Sequence, residues 1–292
     1  MKYQIRHTTK YAYTEPAPVC HNVVHLAPRS TAWQTCRSYR LTVVPEPAER
    51  TCRTDYFGNR VDYFTIHEAH RGLAITAVSE VDVEPRGALA APVTTPAWNA
   101  VAAELAAGDA SRDPGIAQFR FASEYVPLAE QFADYAKTSL KPDCPIVEGV
   151  ADLTARIHAD FRFDPKATNL STPVREVFER RAGVCQDFAH LQLACLRSLG
   201  LAAQYVSGYL RTDPPPGKPR LVGADASHAW ISVYCGAAGW IDFDPTNNVM
   251  PGVDHITVAY GRDYADICPI QGVFIGGGRH AMHVAVDVMP VE

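Results

Sequence analysis

The spacing of apolar residues changes twice along this chain, and those changes restrict the folds open to it. Over the first 85 residues the period is two. Tyr3, Ile5, Tyr11 and Tyr13 fall on odd positions among polar residues, and Tyr39, Leu41 and Val43 alternate likewise, as strands with one buried face require. Asp55-Tyr-Phe-Gly-Asn59 supplies a turn before Val61–Ile66, and a further strand over Leu73–Val83 stops at Pro85. From Arg86 to about Gly115, Ala, Pro and Thr dominate. This reads as a connector with one short helix around Trp98–Leu105, opened by Thr95 and Pro96. Helical spacing follows at Pro127–Leu140 and Val147–Phe161, and Thr172 is placed to cap a helix with Pro173 at its first position. Cys185–Leu199 contains no Gly or Pro and repeats Phe188, Leu191, Cys195 and Leu199 at helical intervals, with Gly200 as its stop. Strands then return at Ala203–Leu210, His228–Cys235 and Gly239–Asp244, and the closing His283–Val288 alternates. The expectation is an α+β chain: an all-β module over 1–85, a connector over 86–120, and a core of helices on an antiparallel sheet over 121–292, its last strand free to pack back on the first module.

Composition narrows the function. Of 292 residues, 47% are hydrophobic and 20% charged, enough to build a core without disulfides or a structural metal. The net charge of −5, with no basic run, argues against a track for nucleic-acid phosphates. No apolar stretch approaches the roughly 20 residues needed to cross a bilayer, and Met1–Pro18 has no apolar segment of signal-peptide type. The expected compartment is the cytoplasm. The eight cysteines are scattered without a C-x-x-C pair, so neither a zinc site nor a disulfide framework is expected; no metal and no cofactor are called for.

One cysteine is distinguished by its position. Cys185 falls in the first turn of its helix, where unpaired N–H groups and the positive end of the dipole favour a thiolate. Gly183 allows close backbone approach, while Asp187 opposes a second negative charge. Cys195, on the apolar face of the same helix, reads as a core residue. His228 opens the run Ser227-His-Ala-Trp-Ile-Ser-Val-Tyr234, and Gly236-Ala-Ala-Gly239 turns it into Trp240-Ile-Asp-Phe-Asp244. A hairpin centred on residue 236 sets His228 opposite Asp244; a later centre moves the partner to 245–247, and Asp242 shares the face by parity. A thiol at a helix start with a His–Asp pair is what nucleophilic acyl transfer needs. The plain alternative is a sheet histidine satisfied by a nearby acid.

Other motifs carry less. His67-Glu-Ala-His70 lies on strand and loop, where its spacing does not converge on a metal. Gly272–Gly278 lacks the Lys-Ser/Thr of a phosphate loop and reads as a turn. The segment Arg211–Ala224, with Pro214-Pro-Pro216, joins two strands and ends just before His228, either bordering a substrate cleft or as a solvated connector.

Taken together, Gly183-Val-Cys-Gln-Asp-Phe-Ala-His-Leu191, Gly208-Tyr209, His228-Ala-Trp230 and Gly239-Trp-Ile-Asp-Phe-Asp-Pro-Thr246 resemble the bacterial transglutaminase-like superfamily. The opening, with His7-Thr8, Tyr11-Ala-Tyr13, Leu26-Ala-Pro-Arg29 and Asp55–Asn59, is similar to that family's N-terminal region, and His255-Ile-Thr-Val-Ala-Tyr-Gly-Arg-Asp263 to its closing segment. The resemblance spans nearly the whole chain. It implies a papain-like core with Cys185 as nucleophile, His228 as general base and Asp244 as the group that orients it. The implied reaction is acyl transfer from a peptide or protein amide, ending on water as in a cysteine peptidase or amidase. True transglutamination, in which an amine takes the acyl group, is the alternative within the enzyme class; a catalytically silent binding scaffold is the alternative outside it. Animal transglutaminases have a tryptophan after the nucleophile, where this chain has Gln186, and another upstream that helps hold the oxyanion. Here no tryptophan lies between Trp98 and Trp230, which leaves the second oxyanion donor unnamed and tilts the expectation toward hydrolysis. No calcium loop is present. Relatives encoded beside ATP-grasp, amide-ligase-like proteins imply, by resemblance only, such a partner.

Overall fold

A computed structural model describes residues 1–86, 95–107, 114–212 and 226–291. The first part is all strand: β1 (Lys2–Ala17), β2 (Val19–Val24), β3 (Gln34–Val44), β4 (Glu49–Thr54), β5 (Arg60–Ile66) and β6 (His70–Val83). The alternation seen in the sequence is real burial. Along β1, Tyr3, Ile5, His7, Thr9 and Tyr13 are all buried, so two polar side chains share the inward face with the aromatic and aliphatic ones.

Next come α1 (Trp98–Ala107), α2 (Pro114–Ala117), α3 (Glu130–Lys137), α4 (Ile146–Asp160), β7 (Arg162–Phe163), α5 (Val174–Arg180), β8 (Ala182–Gly183) and α6 (Cys185–Ser198). The chain finishes with β9 (Ala203–Leu210), β10 (Ala226–Tyr234), β11 (Trp240–Phe243), β12 (His255–Gly261), β13 (Ile270–Ile275) and β14 (His280–Val291). Helix ends depart from the sequence expectation where proline intervenes. α5 begins at Val174 with Pro173 as its extended N-cap, one residue later than expected. The expected helix over 127–140 is only α3, because Ala129 is still extended.

Two sheets, β14-β1-β6-β3 and β13-β2-β5-β4, enclose a shared core containing Ala17, Val24, Leu41, Phe64, Ile66, Leu73 and Ile75. The C-terminal strands thus complete the N-terminal module: β14 pairs with β1 from Lys2↔Val291 to Tyr13↔His280, and β13 pairs with β2. Gly276, Gly277 and Gly278 all have positive φ, so this glycine run is a turn. It links strands of two different sheets, however, and does not close a hairpin.

The third sheet, β11-β10-β9-β12, packs against α6. From Phe188 to Leu196 every side chain of α6 is buried, which makes this helix the axis of the core. At its end Gly200 takes φ +81°, while Gly200 N–H bonds Arg197 and Leu201 N–H bonds Leu196. These bonds close the last turn in the left-handed manner that glycine permits. Tyr3, Ile5, Val81, Val83, Val286 and Val288 of the β module join the same apolar cluster as Leu193, Ile231 and Phe243. Module and core are therefore one packed body.

Candidate active site

Cys185 is the first residue of α6 and is partly exposed, whereas Cys195 on the same helix is fully buried. The helix start is fixed by Asp187. Its Oδ2 accepts from the Val184 backbone N–H at 2.8 Å and from Thr168 Oγ1 at 2.6 Å. This carboxylate therefore satisfies one of the otherwise orphaned N–H groups at the helix entrance. Burial raises its pKa while those two bonds lower it, and the net direction is up. The Asp187 carboxylate that the sequence sets against a Cys185 thiolate is thus held by Val184 and Thr168. A Cβ on Gly183 would lie 2.7 Å from Asp187 Oδ2, so glycine is required for this closure.

The hairpin brings in the other two residues with a shifted register. Ile231 pairs with Phe243, Ser232 with Asp242 and Tyr234 with Trp240, which centres the ladder on residue 237. Extended by the same count, it sets Trp230, not His228, opposite Asp244. This two-residue shift in pairing comes from the turn, where Gly236 and Gly239 both take positive φ and Gly236–Ala238 form a single helical turn. Parity is kept, and His228 reaches Asp244 diagonally. Its Nε2 lies 2.7 Å from Asp244 Oδ2, with both residues buried. Gly208 faces His228 across β9 and β10; a Cβ there would collide with the Ile256 carbonyl and the Trp230 ring.

Asp242 serves a separate function. Its Oδ2 accepts from Trp230 Nε1 at 3.0 Å and from Arg86 at 2.5 Å, tying the core sheet to the β module. The other tryptophan flanking the gap, Trp98, donates to the Lys141 carbonyl at 2.7 Å. Both indole N–H groups are therefore engaged elsewhere.

Electrostatics follow from these bonds. Burial disfavours a charged imidazole at His228, but hydrogen bonds to Asp244 and Cys185, with their charges, outweigh it and raise its pKa. Burial likewise works against ionised Asp244, and its bonds to His228, His255 and Asn247 overcome this and hold its carboxyl well below the usual range. With Nε2 on the carboxylate, Nδ1 is the nitrogen left for the Cys185 sulfur.

Two residues that the sequence reading did not single out complete the site. Asn247 donates to Asp244 Oδ2 at 2.7 Å, and the Thr246 and Asn247 backbone N–H groups reach Oδ1 at 2.9 and 3.3 Å. Asp244-Pro-Thr-Asn247 is an Asx-type turn, a signal present in the sequence. His255 Nε2 lies 3.1 Å from the same Oδ2; nothing short of the pairing of β12 with β9 reveals it. Among the described residues, His228, Asp244 and His255 form the one group offering metal-ligand-type atoms, within 4.8 Å of one another. Here both imidazole Nε2 atoms lie within hydrogen-bond distance of one carboxylate oxygen, which as an ionised group only accepts, so the three form a hydrogen-bonded array. His67 instead faces the ring of His21, and His70 bonds the Glu68 carbonyl and contacts Cys20. Of the loop Arg211–Ala224, only Arg211 and Thr212 are among the described residues, and Arg211 donates to Asp254 at 2.8 Å.

A helix-start thiol beside a carboxylate-bound histidine, on helices packed against an antiparallel sheet, defines a papain-like class of fold. Residues 3–82 match the bacterial transglutaminase-like N-terminal region, and residues 130–245 match the transglutaminase-like superfamily core. The chain belongs to this transglutaminase-like superfamily. An uncharacterized protein of Mycobacterium bovis is 40% identical across all of this chain and 93% of its own length. A Cytophaga hutchinsonii crystal structure, described as that of a "putative cysteine protease", superposes over all of this chain and 92% of its own with a TM-score of 0.72 at 23% identity; it shares the fold. A protein-glutamine gamma-glutamyltransferase of Pseudomonas aeruginosa is 31% identical over 107 residues, 34% of this chain and 16% of that protein. Among the described residues, no helix is long and apolar enough to cross a membrane.

Proposed function

We propose that this protein hydrolyses an amide of a peptide or protein through a thioester on Cys185. The observation that carries the reading is the chain of contacts Asp244–His228–Cys185 at the start of α6. Cys185 sulfur, its proton taken by His228, attacks the amide carbonyl carbon. The oxyanion that forms meets the Cys185 backbone N–H, which at the first helical position has no intrahelical acceptor. Imidazolium His228 protonates the leaving nitrogen, the C–N bond breaks, and a thioester and a free amine result. Water then attacks the thioester while His228 takes its proton, and the proton returns to sulfur as the carboxylic acid leaves. Asp244 fixes the imidazole tautomer and supports its charge throughout.

The second reading passes the same thioester to an amine. The matched segment of the Pseudomonas aeruginosa gamma-glutamyltransferase favours it; the engagement of the indole N–H groups of Trp98 and Trp230 elsewhere favours water.

The test is the pH dependence of iodoacetamide labelling at Cys185, read by peptide mass spectrometry. An ordinary thiol titrates near about 8.5. The expected result is rapid labelling well below that pH, lost in His228→Ala. A peptide screen with and without added amine then separates hydrolysis from transfer. Ordinary reactivity at Cys185 in folded protein would sink the enzyme reading and leave the binding scaffold.

A further inference from the structure

Asp244 carries more hydrogen-bond donors than orienting one histidine requires. Its Oδ1 takes two backbone N–H groups from the Asx turn, while its Oδ2 faces His228 Nε2 at 2.7 Å, Asn247 Nδ2 at 2.7 Å and His255 Nε2 at 3.1 Å. Two imidazoles thus converge on one oxygen. An ionised carboxylate only accepts, so His255 is held as the tautomer with its proton on Nε2. Its other nitrogen, Nδ1, is buried and has no partner among the described residues. A ring placed for packing alone would not need one nitrogen aimed at a carboxylate while the other goes unsatisfied, since an unmet buried polar atom carries a cost. The ring is also fixed in orientation: it meets Trp230 edge-on at 5.3 Å and lies 6.0 Å from the His228 ring.

We infer that His255 is a positioning residue for the Cys185–His228–Asp244 relay, acting through the Asp244 carboxylate. The inference rests on the proposed function of that relay. By donating to Oδ2 from β12, His255 keeps the carboxylate ionised and aimed at His228. Loss of this donor makes Asp244 easier to protonate. A weaker carboxylate supports a weaker imidazolium at His228, and a weaker imidazolium supports less thiolate at Cys185. The acid flank of the Cys185 labelling profile then moves up in pH.

The charged and titratable neighbours are few. Cys185 reaches His228 from α6, and His158 of α4 bonds the Thr246 carbonyl behind the turn at 2.8 Å. Beyond Trp230 lies the Arg86–Asp242 pair. Beside His255 in the chain, Asp254 is held by Arg211 and by the Tyr3 hydroxyl. Besides His228 on β10, His255 on β12 bonds the carboxylate itself.

The experiment compares wild type, His255→Ala and His255→Gln by the rate of Cys185 labelling with iodoacetamide from pH 4 to 10, with circular dichroism and melting curves recording the fold. Glutamine is chosen because its Nε2 amide is a neutral donor close to where the imidazole Nε2 sits. In His255→Ala the window of rapid labelling should narrow by roughly one pH unit on its acid side, the scale of one hydrogen bond to a carboxylate, with labelling about tenfold slower there. In His255→Gln the window should recover. A role in packing alone would lower the melting temperature and leave the acid flank where it was, and that outcome in folded His255→Ala would overturn the inference. Should His255→Ala fail to fold, His255→Phe, which fills the ring's place without a donor, takes over the test: an acid flank raised by roughly one pH unit supports the inference, and one that stays with wild type overturns it. If wild type itself shows no His228-dependent labelling at low pH, the reading of the relay fails before this one is reached.

Discussion

His7, in the seam between the β module and the core, is as deeply buried as His190 of α6, and His228 scarcely less so, with exposures of 2%, 2% and 8%. Their partners differ in kind. His7 meets two neutral hydroxyls, Tyr209 and Thr9, each at 3.1 Å. His190 accepts the Tyr264 backbone N–H and lies against the rings of Tyr125 and Tyr205. Burial therefore acts unopposed at His7 and lowers its pKa to about 4; at His190, burial with the Arg197 charge lowers it to about 3. His228 moves the other way because its partner is an ionised carboxylate. Depth alone does not single out a chemically active histidine; the charge of what it touches does.

The largest test of this contrast removes the sulfur. Cys185→Ala should abolish amide cleavage or transfer with the melting temperature near that of wild type, and activity persisting in clean protein would refute the assignment. Asp244→Asn should lower kcat/KM by about 10³–10⁴-fold, since an amide can hold the imidazole in the wrong tautomer. Asp242→Asn is the paired control. It lies two residues away and is equally buried, but it holds Arg86 and Trp230. Its loss should cost on the order of 3 kcal/mol of stability by leaving Arg86 without its counter-charge, with activity within about tenfold of wild type, as expected when no donor to the reacting atoms is lost. A reversed outcome for the two carboxylates would move the relay from Asp244 to Asp242.

This pairing also shows how much could be read from the sequence. Period-two and helical spacing located most elements, because burial on one face imposes that spacing whatever the fold. Cys185 and His228 were legible through local context: a glycine-flanked helix start and a strand opening. Asp244 was chosen over Asp242, which shares its parity, by centring the hairpin on residue 236; the ladder centres on residue 237, a shift that keeps the parity. The centre of the ladder itself could not be counted, since Gly236 and Gly239 lengthen the turn through positive φ. The return of the last strand to the first module was anticipated, but His255, the pairing of β13 and the strand that β14 takes as partner were out of reach for another reason. They depend on contacts between residues far apart in the chain, as between Asp244 of β10's hairpin and β12 or between Tyr3 and Pro290, and no local pattern encodes such partners.

The smallest effect concerns stability, and it sharpens the contrast through its sign. The His7 pKa lies near 4 in the folded protein and near about 6.5 when unfolded. As pH falls below about 6.5 the unfolded chain takes up a proton that the folded one refuses, so the contribution of His7 is complete above that pH and is lost on the way down to 4. Linkage gives about 1.4 kcal/mol lost between pH 7.5 and 5.5. His228 has the opposite sign. Its raised pKa contributes stability that is complete below about 6.5 and is lost as pH rises through the folded value. Urea midpoints measured across pH 5.5–7.5 should therefore show a shallower fall toward acid in His7→Gln than in wild type, because glutamine can keep a hydrogen bond to Tyr209 but cannot take a proton. Removing the imidazole at His228 should steepen that fall, since the opposing contribution is gone. Equal slopes in wild type and His7→Gln would mean that His7 is protonated in the folded seam, and the contrast between neutral and ionised partners would no longer account for the behaviour of these histidines.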